Sequence, residues 1–118
     1  MSIFSKIFGK TKNENSPKFK EEMACKLDRK VIKYVTERKD GIDTVIGKRG
    51  CLYHKEDRLQ VISDDGVVFD GKVRDILMSE LLSKEGVIVS GPDLSRGGEY
   101  REIVCYYTYY IHEYKRDL

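Results

Sequence analysis

Residues 58–70 read RLQVISDDGVVFD, two apolar, β-branched runs that meet at Asp64-Asp65-Gly66. Asp-Gly between such runs is the strongest short-range hairpin signal, because glycine accepts the positive φ that tight turns demand. The pattern predicts antiparallel pairing of 58–63 with 67–70. Upstream lie VIKYVTER (31–38), a turn at Lys39-Asp40-Gly41, and IDTVIG (42–47). A second turn is expected at Lys48-Arg49-Gly50, then CLYH (51–54) and a polar turn around Lys55-Glu56-Asp57. Downstream, VVFDGKVRDI (67–76) predicts one or two short strands broken at Gly71. Leu77 to Lys84 predicts about two helical turns, from Leu77, Leu81 and Leu82. GVIVSG (86–91) reads as a buried strand, PDLSRGGEY (92–100) as a reversing loop, and REIVCYYTYYIHEY (101–114) as one long strand.

Turn signals at this spacing belong to an antiparallel sheet that curls on itself. One helix precedes it. Ser16 is a natural N-cap, Pro17 suits the first helical position, and Phe19, Met23 and Leu27 fall on one face. The spacing predicts a helix over 17–30. The expected fold is therefore α+β: a mostly antiparallel β roll or barrel of roughly six to eight strands with one helix near the N-terminus. Residues 17–118 form the single domain, and 1–16 a basic amphipathic tail and linker.

The chain has 118 residues, enough for one domain with its own core. A composition 40% hydrophobic and 36% charged excludes a disordered chain. The net charge of +2 makes nucleic acid an unlikely partner. Its distribution is uneven: Lys6, Lys10, Lys12, Lys18 and Lys20 oppose Glu14 alone, so the basic excess sits at the N-terminus. Ile3, Phe4, Ile7 and Phe8 recur there at helical spacing, with Lys6, Lys10 and Lys12 between and after them. Such a segment can lie at the inner surface of an anionic membrane or contact a partner. A free tail, or a staple on its own domain, is the competing reading.

Cys25, Cys51 and Cys105 are odd in number and widely spaced, which fits a reducing cytoplasm. Cys51 and Cys105 are expected as small core residues. His54 and His112 are the only histidines, so zinc would need scattered ligands, and no cofactor or metal is expected. His54 and Lys55, beside Glu56 and Asp57, are expected at a solvated hairpin tip. Gly9-Lys10-Thr11 lacks the earlier glycine of a phosphate loop, since that position is Phe4. No serine sits in a nucleophile elbow. The enzyme reading thus has no catalytic constellation.

In the last strand the odd positions Ile103, Cys105, Tyr107, Tyr109 and Ile111 are the more apolar and should face the core. The even face then presents Tyr106, Tyr110 and Tyr114 as a candidate partner surface. Cover by the helix, or stacking on cross-strand neighbours, would account for the same stripe.

Arg49 to Lys55 (RGCLYHK), followed by Leu59 to Ile62 and Val67 to Phe69, resembles the early hairpins of pleckstrin-homology-like small β domains. The resemblance implies a module for lipid headgroups or peptides rather than catalysis, with the helix over 17–30 covering the sheet. Lys48, Arg49 and Lys55 match the basic ligand-facing hairpin. The expected function is a non-enzymatic binding or adaptor module for a protein or lipid headgroup. A homo-oligomer pairing through the Tyr-rich C-terminal strand is the alternative, and a small hydrolase the third.

Overall fold

A computed structural model of the chain describes residues 15–108. Helix α1 spans Pro17–Leu27, and the Ser16 hydroxyl accepts the Phe19 N–H at 3.1 Å, as the N-cap reading requires. It stops three residues earlier than predicted because Arg29 and Lys30 already serve the sheet. The Arg29 N–H donates to the Leu52 carbonyl at 2.7 Å, and the Leu52 N–H donates to Lys30 at 3.0 Å.

Seven strands follow: β1 (Val31–Lys39), β2 (Ile42–Lys55), β3 (Arg58–Ser63), β4 (Gly66–Lys72), β5 (Leu77–Glu80), β6 (Gly86–Asp93) and β7 (Glu99–Tyr107). They form one antiparallel sheet, ordered β4-β3-β2-β1-β7-β6-β5, that curls into a half-barrel. The expected α+β, mostly antiparallel class is what the chain adopts. The anchoring hairpin is present, with Val61 opposite Phe69 and Gln60 opposite Asp70. Its two-residue loop is Asp64-Asp65, and Gly66, at φ 117°, opens β4.

Several local expectations are corrected. Lys48-Arg49-Gly50 does not reverse the chain, because β2 runs straight through it. Arg49 has the positive φ of 47° that a turn residue would have, but carries it within the strand, where Gly50 and Lys48 on either side stay in register with Ile32 and Tyr34 of β1. The β1–β7 register shifts between Ile32 and Tyr34, and Ile32 and Val35, three apart, both reach the core. Gly71 does not break β4; it makes room, since a Cβ there would lie 2.6 Å from Ile76 Cγ2. Residues 77–80 are extended rather than helical. Met78 is fully buried opposite Val89 while its neighbour Leu77 is 39% exposed, the alternation of a strand, and Leu82 lies wholly exposed in the turn beyond β5. The predicted loop over 92–100 shrinks to 94–98.

The core lies inside the curl. Met23, Ala24 and Leu27 of α1 meet Leu52, Leu59, Phe69, Met78 and Val89 of the sheet. Ile103, Cys105 and Tyr107 join it, as the odd-face reading expected, although Val104 on the even face is buried too. The outer edge of β4 is closed by side chains. Asp93 accepts the Asp70 N–H at 3.0 Å, and Arg101 donates to the Val68 carbonyl at 3.0 Å.

Candidate functional site

With the concave side filled by core and helix, contact chemistry falls on the outer face. Alternation along β2 turns Leu52 and His54 inward and Cys51 and Tyr53 outward. Lateral register then lines up Val31, Cys51, Ile62 and Val67, each directly opposite the next across β1, β2, β3 and β4. Tyr53 stands two residues along from Cys51. Val31, Tyr53 and Val67 are 42%, 41% and 45% exposed, and Cys51 and Ile62 half-buried between them. An outer sheet face is ordinarily polar; here five apolar or aromatic side chains are contiguous.

Charges ring this patch instead of crossing it. Arg58 forms a two-bond pair with Asp70 at 2.8 and 2.7 Å, and Gln60, opposite Tyr53, donates to the same carboxylate at 3.1 Å. The Arg58 guanidinium holds the Asp70 carboxyl below its ordinary range. Arg49 pairs with Asp64 at 3.0 Å. The Cys51 side chain beside Tyr53 pushes the phenol above its ordinary range, so it presents a neutral hydroxyl.

Cys51 is therefore a half-exposed member of the outer face and not a core residue; Cys105 is the buried one, its thiol pushed up to about 12 by burial. Lys48 and Arg49 sit side by side within β2. Lys55, seven residues along, lies about 20 Å away, so the three do not converge on one point. Tyr106 is half-buried against Tyr34, ring centroids 4.7 Å apart, which is the cross-strand stacking reading. Helix α1 packs on the opposite, core side. Tyr110 and Tyr114, and Ile3, Phe4, Lys6, Ile7, Phe8, Lys10 and Lys12, lie outside the described residues.

His54 is also misplaced by sequence reading. The β2–β3 turn is Glu56-Asp57, and the His54 side chain, 11% exposed, faces α1 instead of solvent. There it meets Glu21 and Cys25, the one group among the described residues that gathers three metal-ligating side chains. The available signal was the i, i+4 spacing of Glu21 and Cys25 on the predicted helix. For the outer row no comparable signal exists, since Val31, Cys51, Ile62 and Val67 come from four strands and only register unites them.

No family model, no curated protein and no solved structure matches the chain. Among the described residues no helix is long and apolar enough to cross a membrane.

Proposed function

We propose that this chain is a non-enzymatic binding module that docks a partner protein on the outer face of β1–β4. One observation carries the reading: the unbroken lateral row Val31–Cys51–Ile62–Val67, with Tyr53 beside it, on the face where polar residues belong. Valine, isoleucine and tyrosine offer large contact area with few rotamers to freeze, so ordering them on binding costs little. The surrounding Arg49, Arg58 and Asp70 supply the polar rim that confers orientation. The resemblance of residues 49–69 to pleckstrin-homology-like hairpins supports a binding role of the same kind. The lysines and paired Ile and Phe of residues 3–12 support placement beside an anionic membrane. Sedimentation of the chain with anionic but not neutral vesicles, abolished by salt, is the expected result there.

Site-specific photocrosslinking tests the docking face. A photoreactive phenylalanine at Tyr53 should give a discrete adduct in cells, and Val67→Asp should eliminate it. The same probe at Tyr100, which is 67% exposed but away from the row, should give none. An adduct of doubled mass would identify a second copy as the partner. No discrete adduct at Tyr53, or equal labelling at Tyr100, rejects the proposal.

A further inference from the structure

Glu21 and Cys25 lie one turn apart on α1, and His54 reaches them from β2. Cys25 Sγ is 3.8 Å from His54 Nδ1 and 3.9 Å from Glu21 Oε2, and His54 Nε2 is 3.5 Å from Glu21 Oε2. The cluster is held by rigid parts of the fold. The Asp28 carboxylate at the helix C-cap accepts the His54 N–H at 2.8 Å, and the Arg29–Leu52–Lys30 backbone pairing fixes the same seam. Three ligands are thus brought together without being well paired. His54 Nε2 is out of solvent and makes no aligned hydrogen bond, and both sulfur contacts are at the long limit for such bonds.

From this we infer that Glu21, Cys25 and His54 form a site for a borderline-soft divalent metal ion, with zinc the best fit and a fourth position open to water. One sulfur, one nitrogen and one oxygen donor suit zinc and its neighbours and exclude magnesium or calcium, which avoid thiolate. With one ligand atom from each residue the three lie within 4.8 Å of one another, and bonds of 2.0–2.3 Å in a tetrahedron set donors about 3.3–3.6 Å apart, so closure asks for side-chain movements on the order of an ångström. Binding releases the Cys25 proton to solvent as sulfur takes the metal. Cys25 and Glu21 are exposed, giving the ion access, while His54 is sheltered.

Electrostatics separates this reading from a thiol nucleophile activated by histidine. Nucleophilic cysteines favour helix N-termini, where the dipole stabilises thiolate. Cys25 occupies the last turn of α1, the negative end, beside a carboxylate. Both influences favour a bound cation. His54 and Tyr53 point to opposite faces of β2, so the site is separate from the docking face and its test does not depend on it.

The reduced full chain, titrated with Zn²⁺ against a competing chelator, should bind one equivalent. Co²⁺ should give the thiolate-to-metal absorption of a tetrahedral site. Cys25→Ser and His54→Gln should each weaken zinc by about tenfold or more, and Glu21→Gln should weaken it measurably. Glu22→Gln, on the same helix, should leave it unchanged. Cys25 is exposed, so its serine variant will fold even if the sheltered His54 position proves sensitive. Zinc should also slow alkylation of Cys25. Failure to bind, or a Cys25→Ser variant with unaltered affinity and cobalt spectrum, overturns the assignment. Fast alkylation of Cys25 that zinc does not slow would show a thiol–imidazole pair instead.

Discussion

Arg101 brings together parts of the chain far apart in sequence. Its Nε and Nη2 donate to Glu37 at 3.2 and 2.8 Å, and its Nη1 donates to Asp93 at 2.7 Å and to the Val68 carbonyl at 3.0 Å. The Arg101 hydrogen bond is the chief reason the Glu37 carboxyl lies below its ordinary range. Burial alone would raise Asp93; hydrogen bonds from Ser95, Arg101 and the Asp70 N–H outweigh it, and its carboxyl is lowered too. Both groups bind protons more readily unfolded than folded. The stability they confer is therefore complete above the unfolded carboxyl range near pH 4 and is lost as pH falls through the lowered folded values. Urea melts should show a plateau at neutral pH and a decline below about pH 4, and Asp93→Asn should flatten that decline. Arg101→Lys keeps the charge but not the fork, and should cost about 2 kcal/mol or more in the same melts. None of this was legible in the sequence, where Glu37 and Arg101 stand 64 residues apart.

Elements were easier to read where local chemistry acts alone. Ser16-Pro17 marks the helix start whatever surrounds it, and Ser16→Ala should cost about 1 kcal/mol by orphaning the Phe19 N–H. The β3–β4 hairpin was equally local. Elements were misread where tertiary context chose between two uses of one residue type. Positive φ at Arg49 is taken up within β2, and residues 77–80 were captured by pairing with β6, which leaves Leu82 in the turn beyond. Gly50 is the sharpest case: it reads as a turn glycine, yet it lies inside β2 because a Cβ there would collide with the Ile62 carbonyl of β3. Backbone cannot yield as a side-chain tip can, so Gly50→Ala should destabilise the sheet by about 2 kcal/mol or more, read as a fall in the urea midpoint.

At the scale of the whole molecule, turn spacing announced a curled sheet but could not say how its edge would be finished. Most barrels close by pairing strands; here β4 meets the carboxylate of Asp93 and the guanidinium of Arg101 where a neighbouring strand's carbonyl and amide would stand. The outer apolar row was hidden for the same reason, since register is a property of the assembled sheet. The substitution Asp93→Ala tests the closure. It removes the acceptor of the Asp70 N–H and leaves Arg101 with one carboxylate, so stability should fall by about 3 kcal/mol. A general loss would not distinguish closure from ordinary destabilisation, but amide exchange would. The Asp70 amide should lose protection well beyond that of β1, whose strand is paired on both sides. The freed β4 edge should also promote association at high concentration, visible by sedimentation. If Asp70 and the amides of β1 lose protection equally, Asp93 is a buried charge that merely stabilises, and the edge is closed by something else.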